Sequence, residues 1–199
     1  MNSSIKNFKL EPLTAPNFVK TSLATYEQNS IKKSWEIVHS HDSVAILIYH
    51  QERDTFVLVK QFRPPVYNRN GDGMTIEMCA GLIDKEKTLE QIAKEEIEEE
   101  CGFRVPLSSI ERITKVLSAV GTSGSSQVIY YAEVNESMRV SQGGGIDDEQ
   151  IEVVEIPVGE AKAFMFDETI GKTVGLMFAF MWWFEKELLT AHLKKDGLL

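Results

Sequence analysis

Apolar residues recur along this chain in two rhythms, and each predicts a kind of element. Ser43 to Tyr49 and Thr55 to Phe62 are rich in Val, Ile and Leu, and the polar HQERD stretch between them reads as the turn of a hairpin. Residues 17–38 alternate more loosely and read as two or three short strands, among them Ser34-Trp35-Glu36-Ile37-Val38. RPPVYNRNGDG (63–73), dense in Pro, Asn and Gly, reads as a loop, and Met74 to Ala80 as another strand. Further strands are expected near 112–119, 127–134 and 151–156. The helical rhythm appears in Thr88 to Cys101, where Thr88 and Gln91 form a capping-box pattern. It returns in the last third, with Pro157 opening one helix and a longer one near 173–193. Strands surrounding a single early helix predict an α+β fold.

The helix at 88–101 departs from ordinary patterning. Stepping round it at about 100° per residue, Leu89, Ile92, Ala93 and Ile97 form one apolar stripe. Glu96 and Glu100 fall in the middle of that stripe and Glu99 at its edge, whereas Glu90, Gln91, Lys94 and Glu98 take the solvent side. A charge run on a helix is usually a solvated face. Carboxylates aimed at a core are costly unless something positive pairs with them, and no run of Lys or Arg stands nearby in the sequence. Clustered oxygen ligands favour a hard cation such as Mg²⁺ or Mn²⁺ over zinc.

Composition narrows the rest. The 199 residues fit one globular domain with room for a short extra sheet, and 43% hydrophobic with 26% charged residues is an ordinary globular balance. A net charge of −9 argues against a nucleic-acid or anionic-membrane partner. Cys79 and Cys101 lack CxxC spacing and sit in apolar contexts, so buried free thiols in a reducing cytoplasm are expected. The start, MNSSIKNFKLEPL, has no apolar run like a signal peptide. Val174 to Phe184 is too short to span a bilayer and reads as a core or dimer-packing helix. The four histidines, His39, His41, His50 and His192, show no ligand spacing. GTSGSS (121–126) lacks the spacing of a nucleophile elbow and is expected to be a substrate-side loop. EF-hand spacing is absent as well.

GLIDKEKTLEQIAKEEIEEECGF (81–103) resembles the Nudix box, G-x5-E-x7-R-E-U-x-E-E-x-G-U, where U is a bulky apolar residue. Gly81, Glu96, Ile97, Glu99, Glu100, Gly102 and Phe103 fall on the pattern without insertion. Two positions depart from it: Lys87 stands where the box has Glu, and Glu95 where it has Arg. These positions commonly pair as a salt bridge in the family, so reversing both signs keeps the pair. A decayed box, leaving a nucleotide-sugar binding module without turnover, is the alternative. KKSWEIVHSHDSV, VLVKQFRPPVY and MTIEMCAGLID resemble the ADP-ribose and nucleotide-sugar pyrophosphatases. SQGGGIDDEQIEVVEIP and GKTVGLM are similar to the branch with UDP-glucose and GDP-mannose pyrophosphatases.

The resemblance implies a Nudix fold, with mixed β-sheets sandwiched between helices, over residues 41–199, and a short β extension over 1–40 that serves dimerisation and the substrate pocket. It implies a Mg²⁺-dependent (or Mn²⁺-dependent) hydrolase with two or more ions per site, held by Glu96, Glu99, Glu100 and the Ala80 carbonyl. It further places Arg63 on substrate phosphate and Glu77 near the nucleotide base. Trp35 either stacks in the pocket or packs a dimer interface. Glu149, beyond the flexible Gly143-Gly144-Gly145, is the candidate base, with Asp147 and Asp148 as rivals, and Glu99 is a further candidate for a catalytic role. A homodimer acting on a nucleoside-diphosphate sugar is the assembly expected; ADP-ribose, UDP-glucose and GDP-mannose all remain open as substrates.

Overall fold

The computed structural model describes residues 5–195. In chain order these form the strands β1 (Lys20–Gln28), β2 (Ile31–His39), β3 (Ser43–His50) and β4 (Thr55–Phe62), and helix α1 (Pro64–Asn70). Strands β5 (Met74–Glu77) and β6 (Cys79–Leu82) precede helix α2 (Leu89–Cys101). Strands β7 (Ile110–Leu117), β8 (Ser126–Val134) and β9 (Ile151–Pro157) lead to helices α3 (Val158–Phe166) and α4 (Val174–Lys195). The class is α+β, as expected. The outer limits expected for the two segments fall on residues 1 and 199, outside the described residues.

Strand β3 is the axis of a seven-stranded mixed sheet. One edge pairs in parallel with β8 along its whole length, from Ser43 opposite Gln127 to His50 opposite Val134. The other edge is shared: β6 takes Ser43 to Ile46 and β4 takes Ile48 to His50. Beyond that point β4 leaves β3, pairing with β9 on one side and β5 on the other. The alternation of strand side chains then splits the apolar run between two cores. Val44, Ile46, Ile48, Val57 and Val59 pack with Ile92, Ala93, Ile97 and Cys101 of α2. Ala45, Leu47, Phe56 and Leu58 pack with Phe164 of α3 and Leu176, Phe180 and Trp183 of α4. Burial on both faces is why these strands read as continuous hydrophobic runs.

Two expectations change, and a third is narrowed. The segment 63–73 contains a helix, α1, opened by Pro64, whose missing N–H costs nothing in a first turn, and closed by Gly71 at φ 75°. The single strand expected at 74–80 is two, because β5 follows β4 while β6 returns to β3, and Met78 between them is buried in the α3–α4 core. Residues 17–38 hold two strands, an antiparallel hairpin that forms its own sheet. That hairpin is largely exposed, and the loop after β7 holds it: Val38 N–H donates to Thr122 O (2.9 Å) and Trp35 Nε1–H to Gly121 O (2.9 Å).

The capping box of α2 forms as expected, with Thr88 Oγ1 accepting from Gln91 N–H and the Gln91 side chain accepting from Thr88 N–H. At the other end Gly102, at φ 79°, turns the chain out of the helix. Ile97, fully buried, fixes this helix to the sheet between the glutamates. Ile97→Ala should therefore lower unfolding free energy by about 2–5 kcal/mol, measured by urea denaturation; a loss below about 1 kcal/mol would show that α2 is not anchored through this face.

Candidate active site

Glu100 is buried at 4% exposure and Glu96 is half-buried on the same side of α2. Strand β6 brings the groups that hold Glu100. Ala80 N–H donates to Glu100 Oε2 at 2.9 Å, and the neighbouring Cys79 thiol also favours the charged form of that carboxyl. The thiol stays protonated because burial holds its pKa well above the ordinary value. Ala80 thus meets Glu100 through its N–H, while the resemblance assigns its carbonyl to a metal. Glu96 lies over Gly81: a Cβ there would stand 2.2 Å from Glu96 Oε1, so a side chain at 81 would displace the carboxylate.

These acids repel one another. Burial, followed by the charge of Glu99, pushes Glu96 up to about 7. Glu100 also rises to about 7 because burial and its acidic neighbours Glu96 and Glu149 outweigh Ala80 and Cys79. No salt bridge reaches Glu96 or Glu100 among the described residues. Nor do three acidic, histidine or cysteine side chains among the described residues converge tightly enough to enclose an ion. The donor set nonetheless fits a hard divalent cation in charge and chemistry, since a cation would relieve both the burial of these carboxylates and their mutual repulsion.

Arg63 and Glu77, expected on opposite parts of a substrate, form one bidentate pair. Nε and Nη2 donate to Glu77 Oε1 and Oε2 at 2.8 and 2.7 Å. Thr75 Oγ1 adds a 2.6 Å bond to Glu77 Oε1. Together these partners hold Glu77 below its ordinary pKa despite burial. Glu77 consequently orients the guanidinium, which has further N–H donors for an incoming anion. Strand alternation, which puts residues 75 and 77 on one face, is the signal that could have revealed Thr75.

Glu149 lies in the charge field of Arg63, Glu96 and Glu100, so the loop after β8 does reach the acids of α2. Its Oε2 accepts from Ile146 N–H at 3.0 Å. Asp148 and Glu149 line a cavity of about 790 Å³ together with Lys60, Gln61 and Phe62. Another cavity, about 590 Å³, is bounded by Glu77, Ala80, Gln127, Thr173 and Phe178. Trp35 lines neither cavity, and its indole is tied to Gly121. The histidines have other partners or settings: His39 bonds Ser22, His192 bonds the Leu188 carbonyl, and His50 is buried near Glu136.

The reversed box positions form an ion pair. Lys87 Nζ lies 2.6 and 2.8 Å from the two Glu95 carboxylate oxygens, and Lys85 stands 3.9 Å from Glu95. Both partners of the first pair are over 30% exposed, which limits it to about 1 kcal/mol. Its position ties the loop between β6 and α2 to that helix beside Glu96. Lys87→Glu alone should destabilise the protein by placing like charges together. Adding Glu95→Arg should restore stability in a double-mutant cycle read by denaturation; strictly additive effects would mean that the contact carries no energy.

The raised acids also predict a pH effect. A carboxyl whose pKa is about 7 folded, against an ordinary 4.5, holds more protons in the native state between those values. Metal-free stability should therefore fall as pH rises through that window. Glu100→Gln should melt above the wild type at pH 8 in chelator and lose most of that advantage at pH 5. An equal difference at both pH values in calorimetry would refute the assignment.

Comparison with known proteins is consistent with this geometry. Residues 39–174 match the NUDIX domain model. The chain is 39% identical over 188 residues to the uridine diphosphate glucose pyrophosphatase NUDT14 of Bos taurus, covering 80% of this chain and 85% of that protein. The Mus musculus protein of the same name is 35% identical, covering 81% and 86%. A GDP-mannose pyrophosphatase of Pectobacterium atrosepticum is 38% identical over 150 residues, covering 74% and 76%. With all three later glutamates on a helix packed against a mixed sheet, and the box glycines on either side of that helix, this chain belongs to the Nudix family.

Proposed function

We propose that this protein hydrolyses the pyrophosphate bond of a nucleoside-diphosphate sugar, yielding a nucleoside monophosphate and a sugar phosphate. The observation that carries this reading is the pair of carboxylates on the sheet side of α2, Glu100 buried and Glu96 half-buried, with no salt-bridge partner among the described residues. The names of the relatives, which specify UDP-glucose and GDP-mannose, support the substrate class. Divalent cations, Mg²⁺ or Mn²⁺ and two or more per site, would be held by Glu96, Glu99, Glu100 and the Ala80 carbonyl. When bound, they neutralise phosphate oxygens and lower the pKa of an attacking water.

The chain's own groups do the rest. Arg63, braced by Glu77, binds phosphate oxygens in a fixed orientation. Glu149 takes the proton from water as its oxygen attacks phosphorus and the bond to the bridging oxygen breaks. Asp147 and Asp148 are the rival bases, and Glu99 would contribute as a ligand of the cations. Residues 1–40 form the dimerisation extension and 41–199 the catalytic unit. Exposed Tyr26, Ile31 and Trp35 on one face of the β1–β2 hairpin support a homodimer in which a second copy covers them and Trp35 adjoins the substrate pocket. No helix among the described residues is long and apolar enough to cross a membrane. The two buried free thiols suit a reducing cytoplasm.

A panel of UDP-glucose, GDP-mannose and ADP-ribose with Mg²⁺, assayed for nucleoside monophosphate, tests the activity; binding without release on every compound would make the protein a binding module. Glu149→Gln should lower kcat by about 10²–10⁴-fold while metal binding by calorimetry persists. Should Asp147 or Asp148 substitution cause that loss and Glu149→Gln leave turnover intact, the role of base moves along the loop. Glu100→Gln should lower kcat by orders of magnitude at saturating Mg²⁺ with the fold retained, and near-wild-type turnover would remove Glu100 from the ligand set.

A further inference from the structure

The last carbonyls of an α-helix lack partners within the helix, and here the glycine-rich loop after β8 supplies them. Gly144 N–H donates to Glu100 O at 2.9 Å and Gly145 N–H to Glu99 O at 3.1 Å. Val140 N–H reaches Gly102 O at 2.8 Å, and Ser141 N–H reaches the same carbonyl at 3.3 Å. Glu99 and Glu100 therefore belong to the acidic cluster through their side chains and hold the loop through their carbonyls.

The contact demands glycine on both sides. A Cβ on Gly143 would stand 2.3 Å from Glu100 O, and one on Gly102 would stand 2.3 Å from Ser141 O and 2.8 Å from Gly143 N. Gly143, Gly144 and Gly145 have φ of 69°, 111° and 85°, a region in which side chains are strained. The loop then turns back on itself. Glu149 N–H donates to Ile146 O at 3.1 Å, Ile146 N–H to Glu149 Oε2 at 3.0 Å, and Ile151 N–H to Gly144 O at 3.3 Å. A Cβ on Gly145 would lie 2.5 Å from Glu149 Oε2, so that glycine also makes room for the carboxylate. In the fold these glycines let the loop dock against the end of the helix.

We infer that Gly143, Gly144 and Gly145 are positioning residues: they clasp the loop to the end of α2, so that Glu149 is held in register with Glu99 and Glu100. Base and metal ligands then share one backbone frame, and movement of the loop costs the helix its terminal hydrogen bonds. The inference rests on the proposed role of Glu149. Side-chain orientation at this precision matters because a displacement near 1 Å can cost about 10²-fold in rate.

The test compares full-length Gly143→Ala and Gly145→Ala with Gly159→Ala, a substitution at a position with open space around it. Both loop variants should lower kcat for nucleoside monophosphate release by about 10–10²-fold while KM and the Mg²⁺ concentration for half-activation stay within about twofold. Hydrogen exchange should show lost protection at the amides of residues 144 and 145 in Gly143→Ala, with Gly159→Ala like the wild type throughout. If Gly143→Ala does not fold, Gly145→Ala carries the test, since its clash is with a side chain. Wild-type kcat in Gly145→Ala alongside an impaired Glu149→Gln overturns the clasp alone, as does a loss confined to KM or to Mg²⁺ half-activation. Wild-type turnover in Glu149→Gln overturns both the clasp and the assignment of the base.

Discussion

The organising constraint in this protein is the burial of like charges on one helix. Glu96 and Glu100 lie one turn apart on the side of α2 that faces the sheet, and each is pushed up to about 7 chiefly by loss of water. A chain selected for stability alone would place Leu or Ile there, as it does at Ile92 and Ile97. The rest of the site reads as accommodation of that cost. Strand β6 offers an N–H and a thiol to Glu100, Gly81 is kept bare beneath Glu96, and Arg63 adds positive charge braced by Glu77. Destabilising groups concentrated at a site are what a stability–function trade-off looks like at residue level.

The scaffold tolerates this because α2 is fastened independently of its acids. Its N-terminus is closed by a reciprocal capping box, its middle by Ile92, Ala93 and Ile97, and its C-terminus by the Gly102 turn and the docked loop. The Lys87–Glu95 pair adds a link from the loop between β6 and α2. Reversing the family's polarity preserves the attraction, since a Coulomb pair is indifferent to which partner carries which sign. It still leaves α2 more acidic beside Glu96, and Glu95 is among the charges that raise Glu96.

Sheet topology explains how distant segments meet. Strand β3 gives up β4 partway along, so β4 can carry Arg63 outward while β6 slides in beside the first half of β3 and presents Ala80 to α2. Strand β9 pairs with β4 and returns the loop bearing Glu149 to the same region. Elements from four separate stretches of sequence are thus assembled around one helix face.

Local chemistry was legible in the sequence because it depends on near neighbours. The stripe that sets Glu96 and Glu100 among apolar residues follows from helical periodicity, the Thr88–Gln91 cap from spacing, and β3 and β4 from uninterrupted Val, Ile and Leu. The Lys87–Glu95 contact also came from proximity, a loop residue folding back two turns along the following helix. The rest required the tertiary structure. The break at Met78 arises because β5 and β6 answer to different partner strands, and a single strand cannot show where its partners diverge. Arg63 and Glu77 could not be paired from spacing, since β4–β5 register decides which side chains meet. The three glycines read as freedom in the sequence and as close docking in the fold, because what a glycine permits depends on the backbone that approaches it, here the carbonyl of Glu100.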